Sequence, residues 1–336
     1  MTIERKTTSD EIQKTCERLK PGHKLSLAGP NFLTAFAFID KENNALNYAG
    51  RVNEKTMISL FNEYDSIYKL LKRLVGKNLI VIKTDFTVGK STPTGPEFKN
   101  IDLPNEMSYG SVSAPFLTTF YRSWPRDAHT LINGKILANK DAWNIEKDNI
   151  RISGLGEGGK VFTKKNSILV TPDIWKNSRD EIRGLINIGF KVGYLPFVDP
   201  KKQRHDFKEN HLDGHSGLIE DKNGQLALVV AHSYSHQGNG TRKLIIRACE
   251  SIDAQIVEVD DRNLPPLPFN FEQFEDRSIA VTNSEARDLE VTLMNLAGED
   301  KVFKTDVPLV KIPRLTCGGI RCLTNIIPSS VVKGQL

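Results

Sequence analysis

Apolar positions along this chain fall into two spacings, and the switches between them lay out its elements. Short runs mixing β-branched and aromatic residues between turn formers predict strands over 32–39, 79–83, 135–138, 167–170, 191–197, 226–231, 255–259 and 278–281. Helical spacing predicts a helix over 55–75 and another beginning at Pro172, where Ile174, Ile182, Leu185, Ile186 and Ile188 make an apolar stripe. A third helix is expected from a cap at Asn283 or Ser284 to Ala297, with Gly298 just past its end. The segments Lys164-Lys165-Asn166 and Asp221-Lys222-Asn223-Gly224, each between two strand-like runs, read as hairpin turns.

Hairpins interleaved with helices differ from strict strand–helix alternation. The order disfavours a Rossmann fold and favours a mixed α/β (α+β) arrangement. No Gly-rich phosphate fingerprint, internal sequence repeat or low-complexity linker is evident, so residues 1–336 are expected to form a single domain. The Pro-rich stretch 264–268 is the best linker candidate and reads better as a rigid surface connection.

Composition narrows the class without naming a function. Of 336 residues, 39% are hydrophobic and 26% charged, as in ordinary globular proteins. The net charge of +5 is spread along the chain, and its short basic cluster at Lys201-Lys202-Gln203-Arg204 lacks aromatic stacking residues, so nucleic acid is not an expected partner. No apolar run approaches the ~18 residues of a membrane helix, and the polar N-terminus lacks a signal-peptide core. A cytoplasmic location is the default expectation, and four cysteines fit a reducing compartment better than a disulfide scaffold. Self-association stays open.

The chemistry concentrates in four short segments: Trp124-Pro125-Arg126-Asp127, Glu157-Gly158-Gly159, His211-Leu212-Asp213, and Gly318 to Thr324 around Cys322. A thiol with an imidazole suggests covalent catalysis. Carboxylates with them suit a planar cation, because a guanidinium presents forked donors that match carboxylates. Taken singly, each segment has a plainer reading. Cys322 alone reads as a small buried hydrophobe. Were 211–215 extended, His211, Asp213 and His215 would share a face, yet His211 alone could be an ordinary loop histidine. Asp127 could pair with Arg126 at a turn, and Glu157 could be a loop residue. A metal site from His205, Asp206, His211, Asp213 and His215 lacks a recognised spacing, as does Cys317 five residues before Cys322, and no metal or other cofactor is expected.

In order, Arg-Asp, Glu-Gly-Gly, His-x-Asp and Gly-Gly-x-x-Cys-x-Thr resemble the guanidino-group modifying superfamily. That superfamily includes arginine and agmatine deiminases, dimethylarginine dimethylaminohydrolases and amidinotransferases. The resemblance covers roughly residues 110–330. It implies a five-bladed, pseudo-symmetric α/β propeller of ββαβ-type units. By motif, it makes Cys322 the nucleophile, His211 the general acid/base, and Asp127 and Asp213 the clamp on the guanidinium nitrogens. Glu157 would support His211.

The implied activity is hydrolysis of the guanidinium of arginine or a small derivative through a covalent thiouronium. The alternatives are amidino transfer to an acceptor amine and a non-catalytic binding protein of the same fold. Three departures bear on the substrate. Lys160 stands where many arginine deiminases have Asp. Ala128-His129 replaces the Gly-Pro of agmatine deiminases, and Arg321 precedes the cysteine where several members have His. Arg122, Arg314 and Arg321 are candidates for holding a substrate carboxylate.

Overall fold

The computed structural model describes residues 32–38, 54–83, 89–92, 95–98, 129–132, 135–138, 150–151, 158–199, 211–238, 240–265, 267–274, 276–284, 287–316 and 318–328. They fall into two compact units, one within Asp127–Asp261 and the other drawn from Ala28–Arg126 and Arg262–Leu336.

The first unit contains three three-stranded sheets. In the sheet of Val161–Lys164, Ser167–Val170 and Lys191–Tyr194, the first pair is antiparallel and the third strand runs parallel to the second after a helical crossover. Ser216–Glu220, Leu226–Ala231 and Ala254–Val259 repeat this plan. The strands His129–Ile132, Lys135–Ala138 and Ile150–Arg151 show the same antiparallel and parallel pairings.

Both anticipated hairpin turns are present. Asp221 closes its turn through Oδ1, which accepts from the backbone N–H groups of Asn223 (2.9 Å) and Gln225 (2.8 Å). Gly224 takes the positive φ of 81° that the turn requires. Of the expected apolar stripe, Ile174, Ile182, Leu185 and Ile188 pack with Val161, Ile168, Val170, Phe190 and Val192, whereas Ile186 is exposed. The helix there breaks at Ser178, giving Pro172–Asn177 and Arg179–Asn187 rather than one element.

The second unit repeats the plan at opposite ends of the sequence. Thr324–Pro328 pairs antiparallel with Phe32–Phe38, which pairs parallel with Leu79–Lys83 after the helix Glu54–Val75. Glu272–Gln273, Ile279–Val281 and Val302–Lys304 form another such sheet, and Gly89–Thr92 with Gly95–Phe98 form a hairpin. Leu60, Tyr64, Ile67 and Leu71 recur at helical spacing, and all are 1% exposed or less. They share a core with Phe36, Leu79, Ile320 and Leu323. Gly76, with a φ of 55°, ends the helix, and Lys72 and Arg73 complement the dipole of its last turn.

A mixed α/β fold of small sheets is therefore observed, with one antiparallel and one parallel pairing in each of five sheets among the described residues. Two local expectations need correction. The third helix runs over Asp288–Ala297 with Arg287 as its cap rather than Asn283 or Ser284, and the Asn283 N–H instead donates to Thr305 Oγ1 at 2.9 Å. The Pro-rich stretch is not all surface. Leu267 and Pro268 are buried and lead directly into the apolar run Phe269 to Phe274.

Candidate active site

Cys322 lies on the short helix Ile320–Leu323 and is half-buried. Ile320 and Leu323 anchor that helix in the core, each contributing roughly 1.5–3 kcal/mol by burial. Thr324 Oγ1 donates back to Ile320 O at 2.9 Å and closes the turn.

Asn270, 3% exposed, is a polar neighbour of the sulfur. Its Nδ2 donates to Cys322 Sγ at 2.9 Å, and its Oδ1 accepts the Cys322 backbone N–H at 3.1 Å. Its own carbonyl accepts the Arg321 N–H at 3.2 Å. These bonds fix the amide orientation. A backbone N–H demands an acceptor, so Oδ1 must face it and Nδ2 must face the sulfur. An N–H aimed at sulfur favours thiolate over thiol, and thiolate is the nucleophilic form.

Gly319, three residues before the cysteine, serves close approach rather than turning. Gly319 has an extended φ of −146°, which any residue adopts. A Cβ there would lie 2.8 Å from Asn270 Oδ1 and 3.0 Å from its Cβ and Cγ. Arg321 is 6% exposed, and the side chain of Arg314 lies outside the described residues, as does Arg122.

In the other unit, two segments some fifty residues apart converge. Gly158–Lys160 forms a single helical turn, and a Cβ on Gly159 would lie 2.4 Å from His211 Nδ1 and 3.0 Å from Asp213 Oδ1. The glycine thus lets the backbone lie against both side chains. His211 Nδ1 is 4.0 Å from Asp213 Oδ1, and the Asp213 side chain is only 2% exposed. A carboxylate so far from water demands hydrogen-bonding or cationic partners.

The segment is not extended. Leu212–Gly214 is a tight helical turn closed by His215 N–H to Leu212 O at 3.0 Å. His215 instead places its ring 5.9 Å from that of Tyr234. Lys160 faces Asp173, with Nζ 3.3 Å from Oδ2. Asp127, Glu157, Cys317, His205 and Asp206 lie outside the described residues.

Cys249 supplies a contrast. It is 1% exposed, and burial, reinforced by the charge of Glu250, pushes its thiol up to about 12. At neutral pH it is an inert core residue.

No family model matches this chain, and no curated protein does. Solved structures similar to it include an agmatine deiminase of C. jejuni, at 12% identity over 88% of this chain and 92% of that one, with a TM-score of 0.49. A dimethylarginine dimethylaminohydrolase adduct with S-methyl-L-thiocitrulline aligns at 10% identity over 88% and 98%, also at 0.49. An amidinotransferase from Microseira wollei in the saxitoxin biosynthetic pathway aligns at 9% over 82% and 84%, at 0.45. At these identities and TM-scores no residue role passes from them to this chain.

Proposed function

We propose that this chain is a guanidino-group hydrolase of deiminase type, with Cys322 as its nucleophile. The observation that carries the reading is the Asn270 amide donating to Cys322 Sγ at 2.9 Å on a half-buried helix anchored by its apolar neighbours. A guanidinium carbon is resonance-stabilised and a poor electrophile, so it calls for a thiolate held ready.

In this mechanism the sulfur forms a bond to the guanidinium carbon, and the bond from that carbon to the departing nitrogen breaks. His211 supplies the proton that lets the nitrogen leave as ammonia or an amine. Water then adds to the thiouronium carbon and gives its proton to His211. The carbon–sulfur bond breaks as the remaining hydroxyl proton passes to solvent, releasing a neutral ureido product and the thiolate. Asp213 and Asp127 clamp the planar cation, and Glu157 supports His211. The assignment of Asp213 is supported by its burial beside His211 and Gly159.

The fold proposed with this activity is one catalytic domain closed as a five-bladed propeller. The repeated sheets, each with one antiparallel and one parallel pairing, support it, as does the pairing of Thr324–Pro328 with Phe32–Phe38. A reducing, cytoplasmic setting would keep Cys322 available as a thiol.

The test is a panel of arginine, agmatine, methylated arginines and guanidinoacetate, read for ureido product and released nitrogen with and without acceptor amines. Ureido product from one member is the expected result. Amidino transfer only in the presence of an amine would replace hydrolysis with transferase chemistry. No turnover of any member, with no adduct on Cys322, would leave a binding protein.

A further inference from the structure

With residues that the guanidino chemistry does not use, the Asp127–Asp261 unit gathers two imidazoles and a carboxylate on its surface. His232 begins the helix His232–Ser235 directly after the strand Leu226–Ala231, and His236 follows one turn later. Positions four apart share a helix face, and the two rings stack at 4.1 Å between centroids. Strand pairing sets Glu258 opposite Val230, two residues before His232. Its Oε2 therefore lies 3.4 Å from His232 Nδ1 and 3.7 Å from His236 Nδ1.

Two neighbours hold this arrangement. Arg242 Nε donates to Glu258 Oε1 at 2.8 Å, which fixes the carboxylate and turns its other oxygen toward the rings. Ser233 donates to Asp261 through its backbone N–H (3.0 Å) and its hydroxyl (2.5 Å), tying the helix start to the chain just past Glu258.

We propose that His232, His236 and Glu258 form a binding site for a divalent transition metal of the zinc class. One ligand atom from each residue lies within 4.8 Å of the other two. Around tetrahedral zinc, nitrogen ligands sit at about 2.0–2.1 Å and carboxylate oxygens at about 2.0–2.2 Å, so neighbouring ligand atoms are roughly 3.3 Å apart. The two nitrogen–oxygen separations are already close to that value, and both rings must rotate out of their stacked arrangement, 23° between planes, to aim their in-plane nitrogen lone pairs at one ion. Imidazole nitrogen with one carboxylate oxygen is a zinc-type donor set, and it suits neither calcium nor magnesium, which take mostly oxygen.

Two groups compete for His236 Nδ1: Ser235 Oγ at 2.8 Å and His232 O at 3.2 Å. Ser235 Oγ also reaches His232 O at 3.1 Å, so the hydroxyl keeps an acceptor when His236 turns to a metal. Both histidines are exposed, which leaves the remaining coordination positions to water.

The proposal is independent of the guanidino chemistry, and its test needs no substrate. Chelator-stripped protein is titrated with zinc by calorimetry and with cobalt by visible absorption. The expected result is one equivalent per chain, with tetrahedral cobalt bands and no sulfur-to-cobalt charge transfer. His232→Ala, His236→Ala and Glu258→Gln should each lose this binding while circular dichroism and melting in chelator match wild type. Binding that survives in all three variants, absence of stoichiometric binding in wild type, or a sulfur charge-transfer band in place of the nitrogen–oxygen spectrum would each overturn the assignment.

Discussion

Asn270 grips Cys322 at two points, donating through Nδ2 to the sulfur at 2.9 Å and accepting the backbone N–H through Oδ1 at 3.1 Å. The pair is separated by 52 residues in sequence. The amide therefore fixes where the sulfur sits and aims an N–H at it. Asn270→Ala should slow alkylation of Cys322 at neutral pH and lower kcat. A hydrogen bond to a charged group is worth on the order of 1.5–3 kcal/mol. Asn270→Asp should do more, because a carboxylate facing the sulfur opposes thiolate formation and moves the alkylation–pH profile upward. Unchanged profiles in both variants would mean the contact does not act on the thiol.

Cys322→Ala should abolish turnover and leave the fold intact. Acid quenching of wild type during turnover should add the amidino mass to the peptide containing Cys322. Cys249 is the internal control. With its thiol pushed up to about 12 and its side chain in the core, it should resist alkylation of the native protein at pH 8, and it should label only after unfolding. Site-resolved mass spectrometry reads both outcomes in one experiment.

Gly159→Ala should lower kcat without a matching rise in KM. The new methyl would have to displace the His211 ring, 2.4 Å from where its Cβ would lie, and also crowds Asp213 Oδ1. Relieving such overpacking typically costs about 1–3 kcal/mol of stability. Asp213→Asn, which keeps the shape and removes the charge, should instead raise KM for a cationic substrate. A shared response of both variants in KM alone would count against His211 as the acid/base group.

Glu63 offers a pH test of stability. From the helix Glu54–Val75 its carboxylate accepts the N–H groups of Lys311 (2.8 and 2.9 Å) and Ile312 (2.8 Å), at the start of Lys311–Thr316. Burial pushes this carboxyl above its ordinary 4.5, against the backbone donors of Ile312, Lys311 and Val310 and the charge of Lys311. An acid raised on folding binds more protons in the native state, so its contribution is fully present below the unfolded value. It is lost as pH rises through the folded one. Denaturant midpoints should carry this falling component in wild type and not in Glu63→Gln. The variant should also be less stable by about 1–3 kcal/mol, because its amide nitrogen would face a backbone donor. An identical pH slope in the two proteins would remove Glu63 from the account.

Much of the fold was legible locally. Leu79–Lys83, Lys135–Ala138, Ser167–Val170 and Leu226–Ala231 coincide with runs of β-formers bounded by turn residues, and the helix Glu54–Val75 follows its own apolar spacing. Those signals are local because side-chain period and turn chemistry act over a few residues. The repetition of one sheet plan five times was not visible as a sequence repeat. A sheet plan constrains only which positions are apolar, and many residues satisfy that. The thiol, imidazole and carboxylates were likewise legible as residue types in a characteristic order. What only tertiary structure decided was their company. Asn270 sits inside Phe269-Asn270-Phe271, where nothing local marks it as the partner of a cysteine. Gly159 gave no sign that its missing side chain makes room for His211. Both relationships arise from packing between distant segments, which local periodicity does not encode.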